Sequence, residues 1–281
     1  MIKVIHPGFF TTIQDMGRFG YREKGVPVCG CMDNYSASIA NSLLDNSEMD
    51  AVMEITMTGP KLEFHTSSFF SVTGAEMSPS LNGIPINSYE AHKANEGDIL
   101  SFGKLINGFR SYLAVKGGFL TEMKLKSRSF YKPITDQNRI KEYMEIPIEG
   151  CSEYSPIISH IKPESWHKEY ELDVYKGPEY EILTGDQLKL LSTNKFTIAK
   201  ENNRMAYQLE ELIGVQSHSM LTSATLPGTV QLTPNGKLII LMRDGQTTGG
   251  YPRVLQLASR SIALLAQKKF GDKISFQLLP H

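Results

Sequence analysis

Residues 238–253 read LIILMRDGQTTGGYPR, an apolar run that breaks directly into a glycine-rich polar loop. Leu238-Ile239-Ile240-Leu241 has the length and β-branched content of a buried strand. Gly249-Gly250 lets the backbone turn sharply or approach a ligand, because no Cβ intervenes. After the loop the spacing predicts a helix over 257–269, with Ala258, Ile262, Leu265 and Ala266 on one face and Gly271 as its stop. The segment therefore reads as strand, loop, helix. Its N–H groups, with the hydroxyls of Thr247 and Thr248, would hold a carboxylate or carbonyl oxygen at a helix N-terminus. Asp244, where the strand ends, is either a proton acceptor and partner for an amide N–H or a cap on the turn.

The same grammar runs through the chain. Short β-branched and aromatic runs lie at 69–72, 99–102, 112–115 and 229–232, between Gly, Pro and Asn turns. Asn82-Gly83 and Asn235-Gly236 are hairpin turns in which both central residues can take positive φ. A second helix is predicted over 33–44, with Asp33 as N-cap and Ser36, Ile39, Ala40 and Leu43 on one face. It too follows a polar glycine loop, IQDMGRFGY at 13–21. Two further fragments recur: GPKLE (59–63) against GPEYE (177–181), and GDILSF (97–102) against GDKISF (271–276). These echoes point to a mainly β protein built by internal duplication, each half carrying one helix. The expected division is a first half over 1–120, a connector over 121–170 and a second half over 171–281.

With 29 basic and 30 acidic residues among 281, the chain lacks the basic surplus of a nucleic-acid-binding surface. No apolar run approaches the roughly 20 residues that cross a bilayer, and residues 1–8 do not read as a secretion signal. Cys29, Cys31 and Cys151 form neither an even disulfide set nor a CxxC pair, and no histidines repeat at metal-binding spacing. A soluble cytoplasmic protein with reduced thiols and no metal is expected.

Three other segments carry possible chemistry. Gln14, Asp15, Gly17, Arg18 and Tyr21 pack an amide, a carboxylate, a guanidinium and a phenol into eight residues; Arg18 either grips a ligand carboxylate or pairs internally with Asp15. Glu54, among Val52, Met53 and Ile55, is either a buried partner for one of these loop arginines or an exposed strand residue. Arg204 and Tyr207, three residues apart, share one side of a turn or simply pack together. Glu122-Met123-Lys124-Leu125 has the Met-Lys of a biotin attachment site but no surrounding barrel signal, and is set aside. Nucleotide-binding motifs are absent.

Together, PGFFTTIQDMGRFGYREKGVPVCGCMDNYSASIANSLLDN, EITMTGPKLEF, KSRSF, NNRMAYQL and LPGTVQLTPNGKLIILMRDGQTTGGYPR resemble the allophanate hydrolase subunit 2 family. Its members include the C-type subunit of 5-oxoprolinase, the Kip-type antagonist of a histidine-kinase inhibitor, and part of urea carboxylase's carboxyltransferase domain. The resemblance implies two cyclophilin-like β-barrel subdomains and a non-autonomous subunit of an ATP-dependent complex opening 5-oxoproline to glutamate. The alternatives it implies are a biotin-dependent carboxyltransferase acting on urea or another amide, and a non-catalytic antagonist. ATP would be used by the complex, and biotin, under the alternative, would sit on a partner. Implied partners are the subunit 1 or Kip-inhibitor protein (the B-type subunit), with the A-type oxoprolinase subunit or a biotin carboxylase and its carrier. Carried onto this chain, the family's blocks mark Asp244, Arg204 and Arg18 as catalytic. They mark Gln14, Asp15, Gly17, Tyr21, Asp33, Asn41, Gln246, Thr247, Gly249, Gly250 and Tyr251 as substrate-binding. The chain departs from the family at Ala206, at Ser261, at Phe270 and over 131–141.

Overall fold

The computed structural model describes residues 1–158, 160–162, 169–218 and 220–280. The chain forms two compact units: residues 1–18 with 29–164, and residues 19–28 with 165–281. A ten-residue excursion thus leaves the first unit and belongs to the second. The stretch expected as a connector falls with the first unit as far as its described residues run, to 162. There Glu145–Ile146 pairs with Ile2–His6, and the backbone of Phe130 and Ile140 bonds to Ile13 and Thr11. Residues 163–168 of that stretch lie outside the described residues.

Unit 1 is two antiparallel sheets around one core. The five-stranded sheet runs Phe10–Gln14, Val52–Thr56, Asn107–Val115, Ser68–Glu76, Ala91–Ala94. The six-stranded sheet has Ile2–His6, Lys61–Phe64 and Ile99–Phe102 at its middle. Period-two alternation sends Met53, Ile55, Phe70, Val72, Leu113 and Val115 inward against Val4, Leu62, Phe64 and Leu100. The opposite face of the five-stranded sheet carries helix α1 (Asn34–Ser42), whose Ala37 and Ala40 lie on Val52, Tyr112 and Ala114. Small residues on that helix face allow close approach: Ser71 Oγ donates to Ala40 O (2.7 Å) and Thr73 Oγ1 to Ser36 O (2.6 Å). The buried face is Ser36, Ala37, Ala40 and Asn41; Ile39, expected with it, is only half-buried. Asp33 caps the helix as expected, accepting from the Ser36 N–H at 3.0 Å.

Unit 2 is a closed barrel of seven strands. Around it the order is Glu171–Lys176, Arg253–Leu257, Thr229–Leu232, Lys237–Leu241, Ala206–Leu212, Phe196–Asn202 and Lys273–Leu278. The last strand closes on the first in parallel. Closure removes both sheet edges and leaves an interior filled by side chains such as Leu172, Phe196, Ile198, Tyr207, Val230, Leu238, Ile240 and Phe276. Only this unit closes; the sheets of unit 1 stay open. Among the described residues unit 2 also holds two α-helices, α2 (Gly185–Thr193) and α3 (Ser259–Ala266), where one is expected. α2 was hidden because it buries little more than Gln187 and Leu191, but its start was legible. Thr184 and Gln187 form a capping box, each side chain meeting the other's N–H.

The duplication leaves one clear trace. Gly97 donates to Phe64 O (2.7 Å), the Asp98 carboxylate accepts from the Asn95 N–H (2.7 Å), and Asp98 O accepts from the Phe64 N–H (2.9 Å). Gly271, Asp272, Lys269 and Ile198 repeat that scheme at 3.0, 2.9 and 2.9 Å. The other echo diverges: Gly59-Pro60 enters a strand at once, whereas Gly177-Pro178 leads into a 3-10 turn and α2 before its strand. Of the two hairpin turns, Asn82 and Gly83 both take positive φ, but at the second only Gly236 does. There a Cβ would lie 2.5 Å from Gly214 O.

Thr184→Ala should lower the stability of unit 2 by about 1 kcal/mol, the usual worth of an N-cap. Urea unfolding followed through unit 2 checks this; an unshifted midpoint would mean that tertiary contacts alone hold α2.

Candidate functional site

The glycine-rich loop leaves the barrel strand Lys237–Leu241 beside the tight turn at 203–205. Met242 N donates to Met205 O and Asp244 N to Arg204 O, both at 2.9 Å, so the two segments run side by side. From that backbone pairing Arg204 forks onto Asp244, with Nε to Oδ2 at 2.9 Å and Nη2 to Oδ1 at 3.0 Å. Both side chains are largely buried, 7% and 14% exposed. Fork geometry of this kind is charge-assisted and directional. Asp244 is therefore not a turn cap, and no helix follows the loop directly. Strand Arg253–Leu257 intervenes, and α3 begins only after Ala258, which makes no side-chain cap. The expected helix N-terminus contributes nothing to the loop. Tyr207 is buried, 0% exposed, and donates from its hydroxyl to Lys268 O at 3.1 Å.

Farther along, the loop rests on a buried glutamine. Gln231 places a buried amide between Val230 and Leu232 in the strand Thr229–Leu232. Its Oε1 lies 3.5 Å from Gln246 Nε2 and its Nε2 3.4 Å from Tyr251 O. A Cβ on Gly249 would come within 2.4 Å of the same Nε2. Glycine is needed there for close approach, whereas Gly250 faces open space. Gln246 Oε1 is buried without a hydrogen-bond partner. Thr247 O accepts from the Thr225 N–H, and the Tyr251 side chain is exposed. Asp244, Arg204, Gln246, Thr247, Gly249, Gly250 and Tyr251 thus gather in unit 2. Tyr21 also belongs to this unit, where its carbonyl closes the turn at Arg22–Lys24.

The remaining expected residues lie in unit 1 and mostly hold backbone. Asp15 Oδ1 accepts from the Gly17 N–H (2.8 Å), Ser127 Oγ (2.7 Å) and Ser129 Oγ (2.6 Å), and Oδ2 from the Arg128 N–H (2.6 Å). Arg18 is fully buried and donates to Lys124 O (3.2 Å) and Ser129 O (2.5 Å), so of its two readings the internal pair with Asp15 does not form. Gln14 donates to Thr12 Oγ1 and Phe130 O. Asp33 caps α1, and Asn41 ties its end to Asp50 O. Glu54 is buried and does meet an arginine, but it is Arg110, 3.8 Å away. Its firmer bonds come from the Met32 N–H (2.7 Å) and Tyr112 Oη (2.9 Å). Burial, followed by the Glu54 charge, pushes the Tyr112 phenol well above its ordinary range, so it stays a donor.

What Asp15 and Arg18 hold is a strained turn. Leu125 (φ 52°) and Lys126 (φ 61°) both occupy the left-handed region, and Lys124 and Ser127 exchange backbone bonds of 2.9 and 3.2 Å across them. Two consecutive non-glycine residues there are unfavourable by about 1–2 kcal/mol each. Such geometry persists only where neighbours over-determine it. The Met123-Lys124 fragment leads into this turn.

Comparison with known proteins places the chain. Residues 24–278 match the family profile of the carboxyltransferase domain, subdomains A and B. The chain is 31% identical over 282 residues to the C-type subunit of 5-oxoprolinase from Escherichia coli (strain K12), covering 98% of this chain and 90% of that protein. It is 37% identical over 315 residues to urea amidolyase of Saccharomyces cerevisiae, covering 98% of this chain but 16% of that protein. The crystal structure of the K. lactis urea amidolyase aligns with a TM-score of 0.89 at 27% identity over 99% of this chain and 19% of that one. Against the TTHA0988 crystal structure the chain spans 55% of the length, with a TM-score of 0.87 at 25% identity. The profile match and the aligned structures define a subunit or domain of carboxyltransferase type. The chain belongs to the carboxyltransferase domain family, subdomains A and B.

Lys126→Gly should raise the melting temperature slightly, since glycine adopts the left-handed region without penalty and recovers up to about 1 kcal/mol. Asp15→Asn should lower stability by roughly 2–3 kcal/mol, because an amide nitrogen would face donors it cannot accept from. A destabilised glycine variant would show that the turn is not strained.

Proposed function

We propose that this chain is the C-type subunit of an ATP-dependent 5-oxoprolinase complex that opens 5-oxoproline to glutamate. The observation that carries the reading is the buried Arg204–Asp244 fork at the mouth of the 244–251 loop. An ionised carboxylate has about four lone-pair sites, and the guanidinium takes two. Asp244 keeps acceptor capacity for the N–H of a cyclic amide, oriented by the arginine it holds. Gln246 Oε1, buried and unpartnered, is a second acceptor for such a group. Full-length similarity to the E. coli 5-oxoprolinase subunit supports the same substrate. ATP would be handled by the partner subunits, of the Kip-inhibitor (B) and A types, in the cytoplasm.

A second reading, carboxyl transfer to urea or a related amide, is favoured by the alignment with K. lactis urea amidolyase. Biotin, on a partner's carrier, would supply the carboxyl group. This chain would offer its ureido N–H the Gln246 oxygen. The two readings share Asp244 and the Gln246 oxygen as acceptors for an amide N–H and differ in what the partner brings.

The test is glutamate formation from 5-oxoproline and ATP by the chain co-expressed with its partners. Turnover is expected from the complex and not from the chain alone. Carboxylation of urea by a biotin-bearing complex, without glutamate formation, would move the assignment to the second reading; neither activity would end both. Asp244→Asn should lower kcat/KM of the complex on the order of a hundredfold. It should also lower stability, since the change leaves Arg204 buried beside a neutral amide. Asp244→Glu should recover part of each loss, and full activity in the asparagine variant would remove Asp244 from the site.

A further inference from the structure

The 244–251 loop takes its shape from a neighbour, the segment 223–225. Thr225 donates from its N–H to Thr247 O (3.0 Å) and from its Oγ1 to Gln246 O (2.5 Å). Ser223 and Ala224 pair with Gly249 and Thr248 as a two-residue ladder. Two arginines then hold that segment by consecutive carbonyls. Arg253 Nη1 donates to Ala224 O at 2.6 Å, and Arg22 Nη2, from the 19–28 excursion, donates to Thr225 O. Arg253 is itself fixed by Glu179. Oε2 accepts from its N–H and Nε, both at 2.9 Å, and Oε1 from Nη2 at 2.7 Å.

We propose that Glu179, Arg253 and Arg22 are positioning residues for the substrate loop, setting its shape through the carbonyls of Ala224 and Thr225. The proposal rests on the reading of 244–251 as the loop that meets substrate. The geometry demands arginine at 253. Nε and Nη2 engage the carboxylate while Nη1 reaches the carbonyl, three directions that an ammonium on a flexible stem cannot hold together. Hydrogen bonding from Arg253 holds the Glu179 carboxyl below its ordinary 4.5, and the same contact raises the guanidinium, so both stay charged at neutral pH. None of these groups has to touch substrate. Their effect is to keep Gln246 to Gly249 in register with Gln231 and the Arg204–Asp244 fork, where displacement by about 1 Å is enough to lose roughly a hundredfold in rate.

The experiment compares the wild-type complex with Glu179→Gln, Arg253→Lys, Arg22→Ala and the exchange Glu179→Arg with Arg253→Glu. Two readouts are taken: hydrogen exchange of peptides covering 221–226 and 244–251, and kcat and KM for 5-oxoproline. Each single variant should exchange faster in both peptides by about tenfold or more and lose kcat more than it raises KM. The charge exchange restores an ion pair but gives Ala224 O no donor, so loop protection and kcat should stay low. Unchanged exchange in the single variants, or full recovery in the exchanged pair, overturns the proposal. If the wild-type complex acts on neither 5-oxoproline nor urea, the functional reading fails, while the exchange measurements still decide whether these residues shape the loop.

Discussion

Asp15 carries a negative charge into a place where water reaches 4% of its surface, and the chain answers with four donors at 2.6–2.8 Å. A carboxylate buried with fewer partners would be strongly destabilising, so these contacts constrain everything that supplies them. They fix 15–17 against 127–129, and the Asp15 carbonyl adds Cys31 at 2.9 Å. Gly30 completes the junction, since a Cβ there would sit 2.8 Å from Gly17 N. The point where the chain leaves unit 1 and the point where it returns are thereby pinned to each other. The left-handed turn at Leu125 and Lys126 is held by the same set of bonds.

Glu54 and Asp244 follow the same logic with different partners. Glu54 takes a backbone N–H and a phenol whose own pKa is driven up by burial, and the three together fix the approach to α1. Asp244 takes a guanidinium instead, and neighbouring backbone bonds hold both ends of that pair in place. Asp15 and Glu54, whose oxygens are taken up by neighbouring N–H and hydroxyl groups, have a structural task. Asp244 shares its lone pairs with a single guanidinium beside a loop.

Much of the β architecture was legible, because alternation and Asn-Gly turns are local signals. The strands at 69–72, 99–102, 112–115, 229–232 and 238–241 fall within observed strands, and the helices after Asp33 and Ala258 are present. α2 escaped because its packing face is short, although its Thr184–Gln187 box was in plain view. Barrel closure in one unit and not the other depends on long-range pairing that no local pattern encodes. Among site residues, the family blocks marked a set that gathers along one loop of unit 2, but they could not separate Asp15 and Arg18, which hold a turn, from Asp244 and Arg204, which pair beside that loop. Glu179, Arg22 and Thr225 went unread because their partners are 74, 203 and 21 residues away in sequence. Gln231 had a signal that passed unnoticed: an amide between Val230 and Leu232 needs a reason to be there.

The excursion at 19–28 also bears on how the protein is made. A ribosome releases these ten residues early, yet the barrel to which they belong is encoded by 165–281. At roughly 5–20 residues per second, the wait from residue 28 to the end of the barrel lasts on the order of 10–50 s. Throughout that time the segment, with Phe19 and Tyr21 on it, lacks the strands of the unit to which it belongs, while the residues of the first unit are already made. Truncation at a boundary drawn near 165 would leave the nascent strap stranded on one fragment and the other fragment short of Arg22. Neither unit is therefore encoded by one uninterrupted stretch of the chain.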